Sequence, residues 1–324
     1  MSKTLKILSR PRGNAEEYGR WSVNAFVGCS HGCEYCYLKK GPSGAYLGQD
    51  KPVLKKGVVS EEHAYHLAMA EIIEHRDEII REGGLFMTFT SDPCAEQTYK
   101  LFFRISESAR EMDIPVTMLT KAEPNYLYMF LDSTVDVNCI LNSVRTKEQE
   151  QHNYLNRCTK KASLLAVGFT LTGHDELEPN AISNEERIRC IDFLAHRFPL
   201  AEKCHLWASV EPVIDFDASL QMVADAVEAG CQHFKIGLLT NNTRVVRKDF
   251  QFGEHKFKAY DWMECCQFIG YVMEVTQGAA TVYWKQSFVD FFGDEPIHGM
   301  TAQEFLHQWP HSVGKDWSMF DNKD

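Results

Sequence analysis

The chain has 324 residues, 44% hydrophobic and 24% charged, a balance that fits a folded globular protein and excludes a disordered or fibrous one. Its formal net charge of −11 weighs against extensive gripping of a nucleic-acid backbone, which calls for a basic stripe. No apolar run is long enough to span a bilayer, residues 1–13 lack a signal-peptide core, and an odd count of 11 cysteines points to a reducing, cytoplasmic setting.

From Trp21 the sequence alternates strand and helix signals, the mark of βα units around a parallel sheet. Trp21–Val27 predicts a strand that runs into a cysteine-bearing loop, followed by a Gly- and Pro-containing stretch over 41–57. Ser60 reads as the N-cap of a helix to about Glu82, stopped by Gly83-Gly84. Strands are expected at Leu85–Thr90, Pro115–Leu119, Leu164–Thr172, His205–Glu211 and His233–Leu239, with a late strand at Thr281–Lys285. Between them helices are expected from Pro93 to Met112, around Pro124–Leu131, over Thr146–Lys161, from Ser183 to near Arg197, over Ala218–Ala229 and over Tyr260–Glu274. Ser183–Glu186 and Thr301–Glu304 have the form of capping boxes. Six strand–helix units make a partial (β/α)6 barrel of TIM type, over residues 1–240, with a C-terminal extension over 241–324 packed on the same domain.

Cys29, Cys33 and Cys36 stand at CxxxCxxC spacing. A [4Fe–4S] cluster normally takes four cysteines, so three of them leave one iron open for a substrate or cofactor. A Cys3His zinc site with His31 is the competing reading, although one tight loop would then supply every ligand.

In a βα barrel the chemistry sits at the carboxyl ends of the strands. That rule selects Thr90-Ser91-Asp92-Pro93-Cys94, Thr120-Lys121, Thr170-Leu171-Thr172, Glu211-Pro212, Thr240-Asn241-Asn242 and Lys285-Gln286-Ser287. Plainer readings accompany them. Asp92-Pro93 is an ordinary helix start, Cys94 a small buried hydrophobe, and Thr120-Lys121 an exposed turn. Basic runs at Lys39, Lys40, Lys51, Lys55 and Lys56, and at Arg244, Arg247, Lys248, Lys256 and Lys258, read as solvated faces or as a local nucleic-acid patch. Cys265-Cys266, Tyr126 and Phe130 read as core, and no second CxxC or Walker motif occurs.

The cysteine pattern, with Tyr35 before its last member, resembles the radical S-adenosylmethionine (SAM) superfamily. The stretches 26–37 (FVGCSHGCEYCY), Thr90-Ser91-Asp92, Val116–Lys121, 168–172 with Glu178-Pro179, Glu186-Arg187 and Ala208–Ile214 resemble its spore photoproduct lyase-like branch, over roughly residues 20–240. The resemblance implies a [4Fe–4S] cluster on Cys29, Cys33 and Cys36, with SAM chelating the open iron. It implies that Ser91, Lys121 and Thr170 bind SAM. On strand-end position Asp92 or Glu211 would balance the sulfonium, hold ribose hydroxyls or face substrate. Tyr35 and Tyr37 match an aromatic pair that relays a hydrogen atom, and Tyr35 also lies against the cofactor. A flavodoxin or ferredoxin-type reductant and a nucleotide or nucleic-acid component as substrate are the implied partners. One departure stands out: the lyases carry a hydrogen-donating Cys where Phe89 stands here, which leaves Cys94 as the nearest substitute. Apart from the resemblance, a non-catalytic zinc- or iron-binding module remains open.

Overall fold

The computed structural model describes residues 5–40, 43–122, 162–196, 204–241, 244–314 and 318–320. The helices expected around Pro124–Leu131 and over Thr146–Lys161, together with Tyr126, Phe130 and Asn242, lie outside the described residues.

The elements in chain order are β1 (Leu8–Ser9), β2 (Trp21–Val23), β3 (Phe26–Val27), α1 (Gly44–Leu47), β4 (Val53–Leu54), α2 (Glu61–Glu74), α3 (Arg76–Arg81), β5 (Leu85–Met87), α4 (Tyr99–Glu111), β6 (Val116–Thr120) and β7 (Leu165–Thr170). They continue with α5 (Asn184–His196), β8 (His205–Val213), α6 (Phe216–Glu228), β9 (His233–Leu238), β10 (Thr240–Asn241), β11 (Arg244–Val245), β12 (Phe250–Phe252) and β13 (His255–Phe257). The last are α7 (Trp262–Thr276), β14 (Thr281–Trp284), α8 (Gln286–Phe292) and α9 (Ala302–Leu306).

One eight-stranded sheet runs β1-β2-β5-β6-β7-β8-β9-β14. Every neighbouring pair from β2 to β14 is parallel, and only the edge strand β1 is antiparallel. The fold is thus α/β with an open, mostly parallel sheet, a partial barrel. The strands are short apolar runs buried on both faces, as a sheet covered by crossover helices requires. The late strand at Thr281 pairs with β9, so the sheet holds one parallel strand more than the six-unit count.

The two faces differ in chemistry. The outer face carries Val23, Leu85, Met87, Val167, Phe169, Ala208, Phe234 and Ile236 in one continuous core with residues of α2, α4, α6 and α7. The inner face carries Phe86, Ala166 and Trp207 as a separate cluster, packed by Tyr18, Phe89 and Leu119. Trp207 fits because β7 offers Gly168 beneath it; a Cβ there would lie 2.1 Å from the indole Cε2.

Two expected elements are divided. The strand expected over Trp21–Val27 breaks at Asn24, whose side-chain oxygen accepts from Phe89 N at 2.8 Å, and β3 leaves the main sheet to pair with β4. The helix expected over 60–82 breaks at His75, whose ring packs on Trp21 with centroids 4.9 Å apart. Both capping boxes form, Ser183 with Glu186 and Thr301 with Glu304. Cys265 and Cys266 are both buried in the core. Among the described residues no helix is long and apolar enough to cross a membrane.

Candidate functional site

The cysteine loop follows β2 and β3, so it sits at the carboxyl edge of the parallel sheet with the ends of β5, β6 and β7. It is held against the 43–55 segment: Cys29 N donates to Gln49 O at 2.9 Å. Gly28 makes that approach feasible at φ +93°, for a Cβ there would lie 2.5 Å from Lys51 O. Cys29, Cys33 and Cys36 are free thiols, Cys33 buried and the other two half-buried. Burial, then the charge of Asp92, pushes the Cys29 thiol up to about 12; burial also raises Cys33, against the opposing pull of Lys121.

Among the described residues no three His, Cys, Asp or Glu side chains are arranged to hold a metal ion. The donor set nevertheless fits an iron–sulfur cluster in kind, with three thiols in one eight-residue loop and the Lys121 charge opposing the burial that raises Cys29 and Cys33. His31 does not complete a zinc set. Its Nε2 lies 2.9 Å from Asp92 Oδ2 and its Nδ1 3.4 Å from Asn180 O, so both ring nitrogens face oxygen acceptors.

Asp92 differs from expectation. Its buried carboxylate accepts from His31 Nε2 and Lys121 N on Oδ2, and from Thr120 Oγ1 (2.7 Å) and Cys94 N (2.8 Å) on Oδ1. A carboxylate has about four acceptor sites, and these four donors fill them, leaving none for a ribose or sulfonium. Burial works against its charge, but His31 and the other donors outweigh that and hold its pKa below the usual range. Cys94 is fully buried behind it, so the structure does not bring that thiol to the open edge as a substitute hydrogen donor.

Lys121 begins a second network. Its Nζ lies 3.7 Å from Glu178 Oε1 and 5.4 Å from the Tyr35 ring centroid. Glu178 also pairs with Arg187 at 2.5 Å and accepts from the Tyr35 hydroxyl. Arg187 is fixed in turn by Thr170 O (2.8 Å) and Ile182 O (2.5 Å). Burial opposes the charges of Lys121 and Glu178. The attraction of Cys33 and Glu178 still raises Lys121, and Lys121 with Arg187 lowers Glu178. Ser91 sits near this edge with its Oγ 3.3 Å from Thr88 Oγ1, and Thr170 is buried at the end of β7.

No family model matches the chain, and no curated protein matches it. Among solved structures, SuiB of Streptococcus suis bound to S-adenosylmethionine aligns with a TM-score of 0.49 at 11% identity, covering 88% of this chain and 54% of that one. Another structure of Streptococcus suis SuiB aligns at 0.47 and 10% identity, covering 84% and 51%. The chain spans about half the length of the solved chains it matches.

The two tyrosines of the expected relay part company. Tyr35 is buried with its hydroxyl on Glu178, whereas Tyr37 is 63% exposed and donates to Phe89 O. Phe89 stacks on Phe86 with centroids 4.3 Å apart, which fixes its ring on the inner face.

Glu211 belongs to a third network, inside the barrel. It lies 2.6 Å from Lys285 Nζ and accepts from the Tyr18 hydroxyl, which also meets Ser209 Oγ at 2.8 Å. Glu17 adds a carboxylate 3.4 Å from Lys285, and its backbone carbonyl accepts from Lys235 Nζ at 2.6 Å. Burial, then the neighbouring Lys285 charge, brings Lys235 down to about 7. The sequence marked Lys285 only as a strand end and gave no sign of Glu17, Tyr18 or Lys235, which meet only when β8, β9 and β14 come side by side. The hairpin β12–β13 was equally invisible. Phe252 packs edge-on to Tyr35 at 6.2 Å, and Lys40 lies over the Phe252 ring at 5.5 Å, so this part of the chain covers the cysteine loop.

Proposed function

We propose that the protein is a radical SAM enzyme, with Cys29, Cys33 and Cys36 as the protein ligands of a [4Fe–4S] cluster. The observation that carries this reading is a loop of three free thiols at the carboxyl edge of a parallel partial barrel, facing Lys121, with His31 turned away from the ligand set. When bound, such a cluster supplies one electron that splits SAM into methionine and a 5′-deoxyadenosyl radical able to take a hydrogen atom from substrate.

The chain's own residues prepare that chemistry. Lys121 offers a cation for SAM's carboxylate, and Glu178, Arg187 and Tyr35 hold it in place. Ser91 and Thr170 lie at the ends of β5 and β7 on the same edge. Phe86, Phe89, Tyr18 and Trp207 pack as an aromatic cluster on the inner face of the sheet. The likeness to the spore photoproduct lyase-like branch supports a nucleotide or nucleic-acid component as substrate and a flavodoxin or ferredoxin-type reductant. Phe89 and the burial of Cys94 weigh against the lyase reaction itself, for among the described residues every thiol outside the cysteine loop is buried.

The test is anaerobic reconstitution with iron and sulfide, then dithionite and SAM. The expected result is stoichiometric iron and sulfide, with 5′-deoxyadenosine as product. Cys33→Ala is expected to abolish that product while the protein stays folded. A colourless protein that takes one zinc and leaves SAM intact would overturn the proposal in favour of a metal-binding module.

A further inference from the structure

We infer that Asp92 is a positioning residue that sets the register between the cysteine loop and Lys121, with His31 as the arm through which it acts. One oxygen carries the argument. Asp92 Oδ2 accepts from His31 Nε2, in the cysteine loop, and from Lys121 N, at the end of β6, both at 2.9 Å. The cysteine loop and the end of β6 thus share one acceptor atom. Oδ1 anchors the carboxylate to its own edge of the sheet through Thr120 Oγ1 and Cys94 N. Asp92 is 5% exposed and His31 6%, so water cannot take over these contacts at low cost.

The loop is also held from its far side. Asn180 N donates to His31 O and its Nδ2 to Ser30 O, both at 3.1 Å. Ser30 and His31 lie between Cys29 and Cys33, so the segment joining these two thiols is bolted to the loop after β5 and to the turn after β7. Asp92 is the only one of these anchors that also holds the Lys121 backbone. Groups that act together in a site must keep their spacing to a fraction of an ångström. The functional half of this inference rests on the radical SAM reading, in which the loop holds the cluster and Lys121 the cofactor's carboxylate; the geometric half does not.

The experiment uses the full-length protein in two forms. In Asp92→Asn, an amide group replaces one carboxylate oxygen, and its donor opposes the two donors that now converge there. In the purified, reduced protein without added iron, amide hydrogen exchange over 29–36 and at 121–122 is expected to rise about tenfold or more, with β7, β8 and β9 unchanged. His31→Phe cuts the arm and leaves Asp92 in place; exchange should rise in the loop and stay unchanged at 121–122. After reconstitution, Asp92→Asn should keep wild-type iron and sulfide content. Its SAM concentration for half-maximal change in the cluster's electron paramagnetic resonance signal should rise about tenfold. Wild-type exchange in both variants would overturn the inference, as would wild-type SAM response in Asp92→Asn. If Asp92→Asn fails to fold, the His31→Phe exchange pattern decides. If the wild type takes up no cluster, the proposed function falls, and the exchange measurements still decide the geometric claim.

Discussion

Glu178 and Arg187 form an ion pair at 2.5 Å with both side chains wholly buried, between the Tyr35 hydroxyl and the Lys121 ammonium. Removing one partner of a buried pair leaves an uncompensated charge, a loss of about 3–5 kcal/mol. Arg187→Met is therefore expected to lower the urea unfolding free energy by about that much. Glu178→Gln combined with Arg187→Met should recover a large part of it. Additive losses in the double variant would contradict this picture.

Gly168 and Trp207 make a second dependent pair. A Cβ at position 168 would lie 2.1 Å from the indole, and both residues are in strands that cannot move apart without breaking ladder bonds. Overpacking of this kind costs about 1–3 kcal/mol, sometimes more. Gly168→Ala should lower the thermal midpoint, and Trp207→Leu in the same chain should restore part of it. A Gly168→Ala protein with an unchanged midpoint would show that the inner face is loosely packed.

Lys235 gives the fold a distinctive pH dependence. Its folded pKa is brought down to about 7 against an ordinary 10.5. Between those values the unfolded chain holds the proton and the folded one does not, so stability from this group rises with pH, by at most about 1.4 kcal/mol per unit. Below about 7 both states are protonated and the full cost of the buried charge is present. Lys235→Met should therefore be more stable than wild type by a margin that is largest near about pH 6.5 and shrinks towards about pH 9.5. Denaturant titrations at the two pH values check this; a constant margin would refute it.

His174 acts in the opposite sense. It meets Asp215, the N-cap of α6, and Glu176 at 2.7 Å. Burial works against its charge, but the two carboxylates outweigh that and raise its pKa above 6.5, while the His174 hydrogen bond lowers Asp215 below 3.8. The His174 contribution is complete below its unfolded value and disappears as pH rises through the folded one. The Asp215 contribution disappears as pH falls through that group's own folded value. His174→Asn should thus be destabilised most at about pH 5 and least at about pH 9, as read from urea midpoints. Equal losses at both would rule out the ion pair as the cause.

Much of this was legible in the sequence because local signals and burial agreed. Short apolar runs such as Leu165–Thr170 and His233–Leu238 make strands wherever helices can cover them, and Ser60 and Thr301 cap their helices by chemistry local to four residues. The cysteine loop was visible because three thiols in eight residues are hard to explain by packing. What stayed hidden depends on distant partners. Asp92 looks identical in sequence whether it faces a ligand or a buried histidine 61 positions away. Glu211 sits at a strand end either way, and only the arrival of β14 beside β9 gives it Lys285. The hairpin at Phe250–Phe257 had no periodicity long enough to register.

That hairpin also bears on the order in which the protein is made. A ribosome releases Cys29, Cys33 and Cys36 before Phe252, which packs against Tyr35 beside them. The thiols therefore emerge before the ring that covers them. Until residues 250–257 follow, the cysteine loop lacks the cover that Phe252 gives it.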